Sequence, residues 1–180
     1  MSVVSGSFLD DFCLACQRIG SDYFDVPMKG GKPKYLERVY CYELYHRLRS
    51  CSRLALSPVT LFGEPDKSAY RRLSEKVRAK KPDLIFHVPG EARNLIVIEV
   101  KPAKMRRNGL WKDINTLSTF LSDVDTQYLY GIMLVYGALE TGGLPWFVKI
   151  DLRNLAGDYA NRILLLWHAH PGEKPSLETW

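Results

Sequence analysis

Two stretches decide how this chain folds: Lys81-Pro82-Asp83-Leu84-Ile85-Phe86-His87-Val88 and Asn94-Leu95-Ile96-Val97-Ile98-Glu99-Val100-Lys101. Each is a short apolar run rich in branched and aromatic residues, as a strand requires. The seven-residue segment from Val88 to Asn94 carries Pro89, Gly90 and Asn94, which favour a turn. A hairpin centred on Glu91 pairs 84 with 98, 86 with 96 and Asp83 with Glu99. Opposed residues in such a pair have Cβ atoms about 5 Å apart. Lys101, two residues beyond Glu99, falls on the same face. Leu84, Phe86, Val88, Ile96, Ile98 and Val100 fall on the other, which is wholly apolar and reads as core. A one-residue slip would undo this placement.

Working outward, a helix is expected at about 7–19 and a stronger one from Tyr35 to Arg49. In the second, at about 100° per residue, Leu44 falls at about 340°, Leu48 at about 20°, Cys41 at about 40° and Glu43 at about 240° relative to Glu37. Glu37 therefore sits in the middle of the apolar stripe, and Glu43 does not. An acid there is costly unless it is paired, protonated or bound to a cation. If the helix packs on the acidic face of the sheet, Glu37 joins Asp83 and Glu99.

Residues 27–34 read as a basic, turn-rich linker. A strand is expected at 53–62, with Pro58 marking an edge or bulge, and a polar, basic helix or loop at 67–79. Further on come a helix over 110–121, an apolar central strand over 128–136, a segment at 146–155 that suits helix or strand, a strand over 162–168 and a loose tail at 171–180. The first three strands should form an antiparallel meander. The helix after them should cross over to a further strand, giving an α/β class with a mixed sheet.

The chain has 180 residues, 46% hydrophobic and 25% charged, with a net charge of +5. These values suit one domain with a sizeable core, and the positive balance favours acidic partners. No run approaches the ~18 apolar residues of a membrane span, and Asp10 and Asp11 interrupt the first apolar stretch, so a cytoplasmic protein without a signal peptide is expected. Cys13 and Cys16 form a CxxC, but with Leu9 and Phe12 they share one helical face, and no second CxxC completes a zinc site. Core cysteines are the preferred reading. His168 and His170 form an HxH with no acid or cysteine close in sequence. His46 and His87 show no specific partner either, although His87 shares a face with Asp83.

Two carboxylates about 5 Å apart repel each other, and a hard divalent cation such as Mg²⁺ or Mn²⁺ removes the conflict. The alternative is that Asp83 caps a turn and Glu99–Lys101 is a surface pair.

Pro82-Asp83 followed by Glu99-Val100-Lys101, behind a helix bearing Glu37, resembles the PD-(D/E)xK nuclease superfamily. The order of elements from about 35 to 136 resembles that family's restriction-endonuclease-like αβββαβ core, a central mixed β-sheet flanked by helices. An extra N-terminal helix and a C-terminal strand would complete a single domain over 1–180. The resemblance implies that Asp83 and Glu99 bind Mg²⁺ or Mn²⁺ with the carbonyl of Val100. It implies that Lys101 orients or activates the attacking water, and that Glu37 completes the site or serves a second metal. The implied activity is a metal-dependent endonuclease cutting nucleic acid, most often DNA, in defence, repair or mobile-element biology. Such a small protein would cut by structure, act as a homodimer or be directed by a partner protein. Two basic clusters flank the motif and are expected to meet phosphates: Lys67, Arg71, Arg72, Lys80 and Lys81, then Lys104, Arg106, Arg107 and Lys112. Trp111 and the tyrosines at 35, 40, 42 and 45 could stack on bases, although packing suits most of them better. A catalytically silent nucleic-acid-binding or assembly subunit of the same fold is the alternative function.

Overall fold

A computed structural model describes residues 6–51, 59–65, 74–91, 94–126 and 128–180. The three helices before the sheet are α1 (Gly6–Gln17), α2 (Ser21–Phe24) and α3 (Glu37–Arg49). Then come β1 (Thr60–Gly63), α4 (Glu75–Arg78), β2 (Leu84–His87), β3 (Asn94–Pro102), α5 (Arg107–Ser122), β4 (Tyr128–Tyr136), α6 (Phe147–Leu155), β5 (Ile163–His168) and β6 (Ser176–Glu178). The strands lie in one sheet in chain order. The meander β1–β2–β3 is antiparallel, β3–β4–β5 is parallel, and β6 returns antiparallel. The class is thus α/β with a six-stranded mixed sheet flanked by helices.

The expected hairpin register is the observed one. Leu84 pairs with Ile98, Ile85 with Val97 and Phe86 with Ile96, before an irregularity at His87. Strand alternation then divides the core in two. Ile96, Ile98 and Val100 pack with Leu84, Phe86, Ile132 and Leu134 beneath α1 and α3. Val97, Ile85, Met133 and Val135 pack on the opposite face beneath α5 and α6. Consecutive right-handed crossovers running in one direction across a sheet place both helices on the same side, which explains that arrangement. β4 is apolar on both faces because it is the covered centre: Ile132, Met133, Leu134 and Val135 are fully buried. Each such side chain contributes about 2 kcal/mol of burial. Gly131 lets α5 approach closely, since a Cβ there would stand 3.4 Å from the Leu117 side chain.

Three expectations need correction. The helix carrying Glu37 does not pack on the acidic face. Tyr40, Cys41, Leu44 and Leu48 bury against the apolar face, because an apolar stripe loses most water contact there. The ambiguous segment at 146–155 is helical, with Val148 and Leu152 buried at i and i+4. The tail at 171–180 is not loose: Ser176–Glu178 form β6 against β5, fastened by Lys149 Nζ donating to Glu178 Oε2 at 2.8 Å. Most of the expected strand at 53–62 lies outside the described residues, and its last part is β1.

Candidate active site

The acidic and basic side chains collect where β3 leaves the core. Asp83 stands one residue before β2, and the ladder there gives way to its side chain. Its Oδ2 accepts the peptide N–H of Val100 at 2.7 Å, and its carbonyl accepts the N–H of Glu64 at 2.8 Å. Asp83 is thereby tied to the ends of two neighbouring strands. Glu99 is 4% exposed, next to the Val100 amide that Asp83 binds, so the two carboxyls stand side by side at this strand end. The hairpin register thus sets the two carboxyls on neighbouring strands at one end of the sheet.

Lys101 extends from the same face two residues later. Its ammonium donates to Glu37 Oε2 at 2.8 Å and lies 3.0 Å from Asp113 Oδ2. Glu37 reaches it from the first turn of α3, around the end of the strand rather than across the acidic face. Asp113 comes from the second turn of α5, on the sheet-facing side. The structure thus gathers Glu37, Asp83, Glu99, Lys101 and the peptide of Val100, and adds Asp113.

Charge explains the behaviour of each group. Burial raises the Glu99 carboxyl well above the usual range, and the neighbouring negative charges of Asp83 and Asp113 push it further. Asp83 is also raised by burial, with the Val100 N–H acting against the rise. Asp113 is raised by burial to about 6, with Lys101 opposing. Burial works against the charge of Lys101, but Asp113 and then Glu37 outweigh it, so the lysine holds its proton more firmly than usual. The Cys41 thiol nearby is pushed up by burial and then by the charges of Asp83 and Glu37. Four carboxylates face one ammonium, and retained protons relieve the excess.

Asp113 escaped the reading of the sequence, although the test that selected Glu37 would have found it. At about 100° per residue from Leu110, Asp113 falls at about 300°, between Phe120 at about 280° and Leu117 at about 340°. It is an acid inside an apolar stripe, and it is 4% exposed. The adjacent Lys112, expected to meet phosphate, points to solvent.

The remaining basic residues have distinct settings. Lys104 and Arg106 are exposed just beyond the end of β3, and Lys104 lies 5.4 Å above the Tyr35 ring. Lys81 is exposed and Lys80 half-buried beside α4. Arg107 is held by both oxygens of Asp151, at 2.7 and 2.6 Å, so its charge is already matched. Lys67, Arg71 and Arg72 lie outside the described residues. All four cysteines are free thiols. His168 is fully buried, with Nδ1 2.7 Å from the Tyr40 hydroxyl, as a core histidine.

Among the described residues, no group of three or more His, Cys, Asp or Glu side chains is arranged as a ready metal cage. None of their helices is long and apolar enough to cross a membrane. No protein-family model matches this chain, and no curated protein matches it in sequence.

Proposed function

We propose that this protein is a divalent-metal-dependent nuclease of the PD-(D/E)xK kind, a cytoplasmic hydrolase cutting phosphodiester bonds in nucleic acid as a DNA endonuclease. The observation that carries the reading is the gathering of Asp83, the buried Glu99 and Lys101 at one strand end, with Asp83 on the Val100 N–H. Two neighbouring buried carboxyls whose burial favours their protonated forms are a pair that a hard cation can take over. The donor set fits Mg²⁺ or Mn²⁺, which accept few protein oxygens and keep several waters.

Asp83 and Glu99 would hold the metal, with the Val100 peptide beside them. A metal bound there supplies Lewis-acid polarisation and a water acidic enough to attack near neutral pH. Lys101 keeps its proton, so it is a poor general base. Its ammonium instead aligns the attacking water and offsets negative charge developing on the phosphoryl oxygens. Glu37 is the more open carboxylate, with its side chain 35% exposed. It is suited to complete the metal shell or hold a second ion. Asp113, its side chain 6% exposed, balances Lys101 from the far side and keeps the ammonium in place when Glu37 is drawn elsewhere.

One observation favours the second reading, a silent nucleic-acid-binding or assembly subunit. Asp83 already satisfies a strand-end N–H, a purely structural duty. Incubating the purified protein with DNA and RNA, with and without Mg²⁺ or Mn²⁺, separates the two. Metal-dependent cutting that disappears in Glu99→Ala and Lys101→Ala supports the nuclease. Salt-sensitive binding with no cutting under either metal supports the silent subunit.

A further inference from the structure

Helices α5 and α6 present a solvent face that the proposed chemistry does not use. Trp146, just before α6, is 70% exposed, and Trp111 on α5 is 43% exposed. Both rings are held by one anchor. Asp151, 2% exposed, binds the Arg107 guanidinium with both oxygens, and the same carboxylate accepts the Trp111 indole N–H at 2.7 Å. The guanidinium lies 5.3 Å from the centroid of each indole. Cation and rings therefore form a preorganised unit. Beside it is a cavity of about 240 Å³ lined by Trp111, Asn115, Ser118 and Leu155. The Ser118 hydroxyl is buried there without a hydrogen-bond partner.

The charge that these two helices themselves expose has one sign. Both acids of these helices, Asp113 and Asp151, are buried. The exposed charged side chains on them are Lys112 and Arg153, with Arg106 exposed immediately before α5. Aromatic faces interleaved with unopposed basic groups suit a polyanion that carries flat rings. They do not suit a duplex, whose bases are stacked on one another.

We propose that the Trp146–Arg107–Trp111 unit is a stacking platform for unpaired nucleotides. Bases lie on the indoles, and the backbone follows Arg106, Lys112 and Arg153. This rests on the nuclease reading and specifies its substrate as nucleic acid with a single-stranded segment beside the cut.

The test is fluorescence anisotropy in EDTA, where binding is read without cleavage. The probes are a labelled oligothymidine strand and a blunt duplex of equal length. Wild type should prefer the strand, and Trp146→Ala should bind it about 5- to 150-fold more weakly, the range for losing one stacked base. Trp146→Phe should recover much of the loss, and duplex binding should be unchanged. Lys112→Ala and Arg153→Ala should each lower the salt slope by about one. Glu99→Ala should keep the strand preference, so loss of cutting and loss of stacking are read separately. Equal strand affinity in Trp146→Ala, no strand preference in wild type, or a Trp146-dependent dimer on size exclusion in place of strand binding would each overturn the proposal.

Discussion

Replacing Lys101 with methionine should destabilise the protein in a way that depends strongly on pH. The substitution keeps the apolar stem and removes the ammonium, which lies 2.8 Å from Glu37 and 3.0 Å from Asp113. Glu37 can turn to water, but the buried Asp113 cannot. Stranding one buried partner of an ion pair costs about 3–5 kcal/mol. The lower end applies, because the carboxyl can instead take up a proton. Asp113 already titrates at about 6, and without the lysine it titrates higher. A carboxyl raised in the folded state binds more protons folded than unfolded. Its stability is intact below about pH 4 and is lost as the pH climbs through the folded value. The deficit of Lys101→Met should therefore be about 3 kcal/mol at pH 8 and about 1 kcal/mol at pH 5. For a chain of this size each kcal/mol lowers Tm by about 2–4 °C, giving a drop of about 6–12 °C at pH 8 and about 2–4 °C at pH 5. Adding Asp113→Asn should restore part of the loss at pH 8, a coupling a double-mutant cycle measures. Equal drops at the two pH values, or a larger one at pH 5, would refute the account of the cluster.

Under the nuclease reading, cleavage in Mg²⁺ should decline as the pH falls through about 6, where Asp113 takes up a proton; the upward shift of Glu99 acts in the same direction, and a pH–rate profile that is flat from 5 to 8 contradicts it. Burial pushes His168 down to about 4. The folded state then binds fewer protons than the unfolded one between about pH 6.5 and 4, so falling pH should remove up to about 3 kcal/mol of stability. Denaturant titrations of His168→Gln should show a flatter acid limb than wild type. Gly137 has φ of +82°, and a Cβ there would stand 2.7 Å from the Tyr35 ring. Gly137→Ala should cost about 2 kcal/mol or more in thermal melts; a neutral result contradicts both the backbone strain and the crowding by Tyr35.

The hairpin was readable in the sequence because its two strands are close neighbours and one register alone buries Leu84, Phe86, Ile96 and Ile98 together. Asp83 and Glu99 came with that register at no further assumption. Glu37 reaches Lys101, but by a different route from the one its helical phase suggests. Its position on an apolar stripe predicts the whole helix on the acidic face, whereas the stripe itself belongs on the apolar one. Only the first turn of α3 overhangs the strand end, and nothing local in sequence marks an overhang. Asp113 was obscured by the conspicuous charge of Lys112 beside it, although its helical phase was informative. β6 is three residues at a sheet edge, with Ser176 and Leu177 exposed. A strand that buries so little has no periodicity to read, and it exists because the edge of β5 offers it hydrogen bonds.

The bond from the Val100 N–H to Asp83 Oδ2 bears on how an inactive form of this protein should be built. Alanine at position 83 removes a candidate ligand and leaves a buried amide without an acceptor, so lost activity could come from a frayed strand end. Asparagine keeps an oxygen for that amide while giving up the negative charge. Comparing the two substitutions separates the chemistry of the carboxylate from its service to the sheet, and Asp83→Asn is the sound choice for trapping a bound substrate.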